Sequence, residues 1–240
     1  MNHKELASAS PKHLEDRHIV VTGGTGALGR AVVLAMVEAG AICTVPSSRP
    51  TLTPPWGDHP RIRLVPNIDL CCEDDVVQFY GELDSLWASI HVAGGFSMAA
   101  IGDTTLETFQ DIFQKNATTA FLCCREATNR IRESGKGGRI VNIAARTVEY
   151  PVGGMIAYTT AKDAVASMTR CLADELRSES IWVNAILPSV IDTPANRQAM
   201  PDADFSTWPT VEEIAQEILG LISPQNTQTT GKLVAIYGDG

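Results

Sequence analysis

Short apolar runs alternate along the chain with longer stretches whose apolar positions recur at helical spacing. That is the rhythm of strand–helix–strand units closing into a parallel sheet covered on both faces. The pattern predicts strands at 18–22, 41–45, 61–65, 86–93, 139–144, 180–187 and 232–237. Helices are predicted at 27–39, closed by Gly40 as a C-cap, and at 73–82, 105–133, 156–177 and 210–221. Thr104 or Thr105 reads as the N-cap of the third helix, with Glu107 placed for a capping box. Five prolines between Pro46 and Pro60 forbid regular structure there, and a polar, proline-marked excursion fills 188–209. The expected fold class is α/β, a doubly wound parallel sheet of about seven strands with helices on both faces.

With 240 residues, 44% of them apolar and 20% charged, the chain suits one large domain over 18–240, preceded by a polar extension at 1–17. A net charge of −9 opposes an electrostatic grip on nucleic acid or anionic lipid, so the expected partner is a small molecule. The uncharged stretch 86–102 is broken by His91, Gly94 and Gly95 and does not suit a membrane span. Residues 1–17 carry no apolar run of a secretory signal, and a cytoplasmic protein is expected. Cysteines 43, 71, 72, 123, 124 and 171 lack metal-ligand spacing and read as small hydrophobes, so no metal is expected.

The run Gly23, Gly24, Thr25, Gly26, Ala27, Leu28, Gly29 sits between the first strand and the first helix, where a dinucleotide fingerprint must lie. Its glycines permit a tight turn, and the helix N-terminus offers unpaired amides to a pyrophosphate; the bland alternative is a structural turn. An acid that would bond the ribose hydroxyls is missing after the second strand, where Ser47, Ser48 and Arg49 stand instead. NADP(H) is therefore favoured and NAD(H) possible, Arg49 reading either as a clamp for a 2′-phosphate or as a solvated loop charge. Further along, Tyr158 and Lys162 lie one helical turn apart, and the cation is expected to make the phenol a better acid than its ordinary pKa of about 10 allows.

Thr22-Gly23, Ala93-Gly94, Asn116, Tyr158-x-x-x-Lys162 and Pro188-x-x-x-Asp192-Thr193-Pro194 together resemble the short-chain dehydrogenase/reductase family over nearly the whole chain. The resemblance implies a single-domain Rossmann fold. It makes Tyr158 the proton donor, gives Lys162 the tasks of lowering its pKa and holding the nicotinamide ribose, and lets Asn116 position a water relay. Asp69 and Leu70 would lie at the adenine, Ala93, Gly94 and Gly95 along the adenosine, and Pro188, Ile191 and Thr193 at the carboxamide. Read singly, Asn116 is also a locally bonded polar group and Asp69 a turn cap.

One departure stands out. The family's serine, thirteen residues before the tyrosine, is Ala145 here, and the nearest hydroxyl is Thr147. The dihydropteridine reductases within the family lack that serine too. The chain resembles them at Gly26-Ala27-Leu28-Gly29, Val92-Ala93-Gly94-Gly95, Ala144-Ala145-Arg146, Asp192-Thr193-Pro194-Ala195-Asn196-Arg197 and 200–208. That likeness implies a flat conjugated substrate, although those enzymes usually take NADH through the acid missing here. A general carbonyl reductase or alcohol dehydrogenase, with water or Thr147 in the serine's role, and a non-catalytic NADP(H)-binding sensor or scaffold are the alternatives. Pairing of the helices at 105–133 and 156–177 with symmetry mates in a homodimer or homotetramer is also expected.

Overall fold

The structure is a computed structural model and describes residues 13–51 and 53–239. Of the polar extension, residues 1–12 lie outside the described residues. Seven parallel strands form one sheet: β1 (His18–Thr22), β2 (Ile42–Pro46), β3 (Ile62–Val65), β4 (Ala88–His91), β5 (Gly138–Ile143), β6 (Ile181–Pro188) and β7 (Leu233–Ile236). Their order is β3-β2-β1-β4-β5-β6-β7. The chain winds outward from β1 to β3, returns, and winds the other way from β4, so a crevice opens beyond the C-terminal ends of β1 and β4.

The helices are α1 (Ala27–Glu38), α2 (Glu73–Gly81), α3 (Leu106–Phe113), α4 (Thr119–Ser134), α5 (Ile156–Glu175), α6 (Pro194–Ala199) and α7 (Val211–Ile222). α1 and α7 bury Val32, Val33, Met36, Ile214 and Ile218 on one sheet face, against Ile19, Val21, Ile90 and Val141. α2, α4 and the end of α5 cover the other face, where Phe79, Leu122, Ile131 and Leu176 meet Val20, Ile140 and Val183. Strands buried on both faces read as continuous apolar runs, which is why the pattern located them. No helix among the described residues is long and apolar enough to cross a membrane.

Local chemistry sets the boundaries. The Ala41 amide donates to the Met36 carbonyl and the Gly40 amide to Val37, with Gly40 at φ 98°, the left-handed C-terminal lock that only glycine enters cheaply. The fourth strand is shorter than expected, ending at His91, because Val92 to Gly95 turn toward the crevice. The predicted helix at 105–133 is not continuous. Its N-cap is Thr105, whose hydroxyl oxygen accepts from the Thr108 amide at 3.1 Å, so Glu107 falls one place short of a capping box; that motif occurs instead at Thr210 and Glu213. The helix then widens into a π turn at Gln114–Thr118. There the Asn116 amide group donates to the Ile112 carbonyl at 2.8 Å and the Thr119 hydroxyl to the Lys115 carbonyl at 2.8 Å, replacing regular backbone bonds. The excursion at 188–209 contains α6, started by the Thr193 cap with Pro194 in its first turn.

The two strand ends that frame the crevice touch at Gly23. It sits at φ 65°, and a Cβ there would lie 2.7 Å from the Ala93 nitrogen and 2.9 Å from its Cα. Gly23→Ala is therefore expected to destabilise the fold by about 1–3 kcal/mol, through backbone clash and a disfavoured φ. Urea unfolding checks this, and a midpoint equal to that of the unaltered chain would show that the two turns are not in tight contact.

Candidate active site

The glycine turn carries its chemistry in backbone rather than in side chains. The Gly26 amide donates to the Gly23 carbonyl at 3.0 Å, closing the turn, and Gly26 precedes α1 with no side chain capping the helix amides. The first-turn amides of α1 are thus left for an external acceptor. A Cβ on Gly24 would come 2.8 Å from Val45 Cγ1, and one on Gly29 would overlap the Gly23 carbonyl oxygen, whereas Gly26 is exposed. The cradle fits a pyrophosphate. Within it Thr25 is partly buried and Ala27 exposed, while the Leu28 side chain is buried in the core, leaving only its backbone on the turn.

Around the rim the other expected contacts are dispersed by role. Ser48 and Arg49 are exposed beyond β2, and the Ser47 hydroxyl oxygen accepts from the Arg49 amide at 3.2 Å. Arg49 makes no ion pair among the described residues. Asp69 accepts from the Cys71 amide at 2.9 Å, the turn-capping role, and Leu70 packs on the core. Pro188 ends β6 buried, Ile191 packs partly on the core, and the Thr193 hydroxyl oxygen accepts from the Asn196 amide at 3.2 Å.

Across the crevice two of the catalytic candidates, Asn116 and Lys162, meet at Gly94. A Cβ at Gly94 would lie 2.6 Å from Asn116 Oδ1 and 3.5 Å from Lys162 Nζ. Asn116 is buried, its Nδ2 donating to the Gly95 carbonyl at 3.0 Å while its Oδ1 accepts from the Gly95 amide at 3.3 Å. The π turn that breaks the helix is what aims Asn116 at this loop. The Ala93 amide in turn donates to the Thr22 hydroxyl at 3.2 Å, tying the loop back to β1. Lys162 is buried, and its Nζ donates to the Ile143 carbonyl at 2.8 Å, at the end of β5.

Tyr158, one turn earlier on α5, has its ring centroid 5.7 Å from Lys162 Nζ. Burial pushes Lys162 down from 10.5 to about 8, and pushes the Tyr158 phenol up from 10.0 to about 12. The second direction corrects the expectation that the lysine makes the tyrosine more acidic. The ammonium is engaged by the Ile143 carbonyl and stands 5.7 Å from the ring centroid, so burial dominates the phenol. A phenol so placed keeps its proton at neutral pH, the state a proton donor needs.

Below the site a polar chain crosses the sheet interior. Tyr80 Oη lies 2.8 Å from Ser89 Oγ, Ser89 Oγ 2.9 Å from His91 Nε2, and His91 Nδ1 2.8 Å from Asn142 Oδ1, whose amide donates to Thr169 on α5 at 2.9 Å. Because Thr169 donates to the Val165 carbonyl at 2.8 Å, the donors line up in one direction. His91 is then neutral with its proton on Nδ1, and burial pushes its pKa down to about 4. The sequence reading missed this chain, and it missed Phe96, whose ring meets Tyr158 edge-on at 5.1 Å. An aromatic two residues after Gly94 was the available signal for the latter.

The excursion after β6 is internally braced. Arg197 forks onto the Asp192 carboxylate at 2.6 and 2.7 Å and lies 5.0 Å over Phe205, which packs on Trp208. Ala145 is buried, and Thr147 Oγ1 on the following turn is buried without a hydrogen-bond partner.

Comparison with known proteins agrees with this geometry. A family model described as short chain dehydrogenase matches residues 17–204. A short-chain type dehydrogenase/reductase of Picea abies is 30% identical, covering 94% of this chain and 92% of the relative. The NADPH-dependent aldehyde reductase 2, chloroplastic, of Arabidopsis thaliana is 29% identical over 78% of this chain and 76% of its own. Among solved structures, a short-chain type dehydrogenase/reductase from Mycobacterium ulcerans shares the fold with a TM-score of 0.83 at 23% identity, covering 94% of this chain and 90% of that one. On the family match over most of its length, the chain belongs to the short-chain dehydrogenase/reductase family.

Proposed function

We propose that this oxidoreductase is an NADPH-dependent reductase of a small conjugated or carbonyl substrate, with Tyr158 as general acid. The observation that carries the reading is the meeting of Lys162 and Asn116 at Gly94, with Tyr158 one helical turn before Lys162, one loop away from the glycine turn that closes against Ala93. In this reading Gly23 to Gly29 hold the pyrophosphate, Ser47, Ser48 and Arg49 the 2′-phosphate, and Asp69, Leu70 and Ala93 to Gly95 the adenosine side. Pro188, Ile191 and Thr193 face the carboxamide. The bound nicotinamide supplies the hydride. Tyr158 gives its phenolic proton to the substrate atom that gains electron density, and Lys162 stabilises the phenolate left behind. Asn116 keeps Gly95 and its loop in place beside Lys162 and positions the relay that returns the proton.

The exposed guanidinium of Arg49 and the NADPH dependence carried in the Arabidopsis relative's name support the choice of cofactor. Ala145 and the dihydropteridine-reductase-like run after Pro188 support a conjugated substrate, because hydride delivery to a polarised ring needs less help from a donor at the serine position. A homodimer or homotetramer assembled through α4 and α5 completes the proposal. Phe121, 48% exposed on α4, is an apolar side chain that such an interface would cover.

Three measurements test the reading. Tyr158→Phe removes the donor but keeps the ring, so kcat should fall about 10²–10⁴-fold with NADPH affinity unchanged; full turnover would assign the proton to another group. NADPH should bind more tightly than NADH in isothermal titration, and Arg49→Ala should erase about 1.5–3 kcal/mol of that preference. Equal affinities in the unaltered protein would make Arg49 a solvated loop charge.

The pH dependence follows from Lys162. Its charged form is required, so kcat/KM should fall as pH rises through about 8. Its folded pKa lies below the ordinary 10.5, so the unfolded chain binds the extra proton and stability should rise with pH between those two values. Activity and stability thus move in opposite directions, and a parallel loss of both above pH 8 would contradict the role given to Lys162.

A further inference from the structure

We propose that Phe96 is the specificity-determining residue of this site, a fixed aromatic platform that stacks on the flat, uncharged conjugated ring of the substrate in front of Tyr158. The inference rests on the reductase reading and names its substrate class. Exposed apolar residues that cluster mark binding sites, and Phe96, 60% exposed, stands in one loop with exposed Met98 and Ile101. Among the described residues its one ring contact is the edge-on meeting with Tyr158 at 5.1 Å. Seated against the proposed proton donor with most of its surface free, it presents an unpaired π face where a substrate must arrive.

The platform is held still by groups already in the site. Asn116 bonds both the amide and the carbonyl of Gly95, the residue before Phe96. Three residues further on, the Ala99 amide donates to the Gly154 carbonyl at 2.8 Å, joining this loop to the segment that leads into Tyr158. The ring is thereby anchored on both sides in sequence, and the same asparagine sets Phe96 and the loop beside Lys162.

The surroundings are apolar. Met98 and Ile101 on the Phe96 loop are 60% and 72% exposed, and Val152 and Ile156 stand open on the facing segment. A cavity of about 440 Å³ between the two segments is lined mainly by apolar residues, among them Ala99, Ile101, Val152 and Ile156, together with Thr159 and Thr160, and by no charged side chain. With alanine at position 145, the cavity walls offer no charge to grip an acidic substrate, and Thr159 and Thr160 are the only side-chain hydroxyls among them. Recognition by stacking and apolar contact is what they do offer, which selects a flat ring over an aliphatic chain.

The test compares Phe96→Ala and Phe96→Trp with the unaltered protein, using a small naphthoquinone and an aliphatic aldehyde as substrates with NADPH. Phe96→Ala should raise KM for the quinone about tenfold, the loss of one aromatic contact and its burial, with little change for the aldehyde, while Phe96→Trp should retain quinone turnover. Equal effects on both substrates, or none on either, overturn the platform. Equilibrium titration with naphthol reads the same contact without turnover. Its binding should weaken about tenfold in Phe96→Ala and survive in Phe96→Trp. Naphthol binding that depends on Phe96 in a protein without turnover would sink the reductase reading and leave the platform standing, whereas binding indifferent to Phe96 sinks the platform alone.

Discussion

A lysine ammonium buried at the end of β5, donating to the Ile143 carbonyl at 2.8 Å, is the constraint around which the site is arranged. Burying a cation is costly unless its donors are met, and here burial pulls Lys162 down to about 8. The strand end, the start of α5 and the loop after β4 must all hold their places for that donor to stay satisfied. A side chain at Gly94 would displace Asn116, whose Oδ1 lies 2.6 Å from where a Cβ would stand, with Lys162 Nζ in contact beside it. Gly23 is bare for the matching reason on the other side of the loop, against Ala93. The glycine turn and the Lys162 site are thus coupled through three residues of backbone, Ala93 to Gly95.

The same burial separates the ionisation of the two central groups. Lys162 is brought toward neutrality and Tyr158 is kept protonated. Opposite charge at short range lowers a phenol's pKa, but the lysine's bond to a carbonyl leaves burial as the stronger influence. In the proposed reaction the developing phenolate, not the resting phenol, is what the ammonium stabilises.

Much of the fold was legible because doubly buried strands and one-faced helices leave strong periodic traces. β1 fell at the expected residues, and α1 ended at the glycine lock where expected. The unbroken helix at 105–133 was misread because a π turn is made by side chains competing for backbone carbonyls, Asn116 for Ile112 and Thr119 for Lys115, which leaves the apolar period almost intact. Tyr158, Lys162 and Asn116 were put forward by spacing and by resemblance. The direction of the tyrosine's shift was not, since it depends on burial, a property of the folded surroundings. Phe96 and the Tyr80–Ser89–His91–Asn142–Thr169 chain escaped for a like reason: each acts through neighbours distant in sequence.

The account's central claim is that hydride passes to a bound substrate in front of a protonated Tyr158. The most direct measurement is mass spectrometry of the product formed from NADPH carrying deuterium at the transferable position of its nicotinamide, with a quinone as substrate under anaerobic conditions and with a carbonyl that retains the label on carbon. The account predicts one deuterium on the carbinol carbon of the carbonyl product and consumption of one reduced cofactor for each quinone reduced. Tight binding of NADPH with neither label transfer nor cofactor consumption across the panel would contradict it, and would leave the chain a nucleotide-binding protein built on an enzyme's fold.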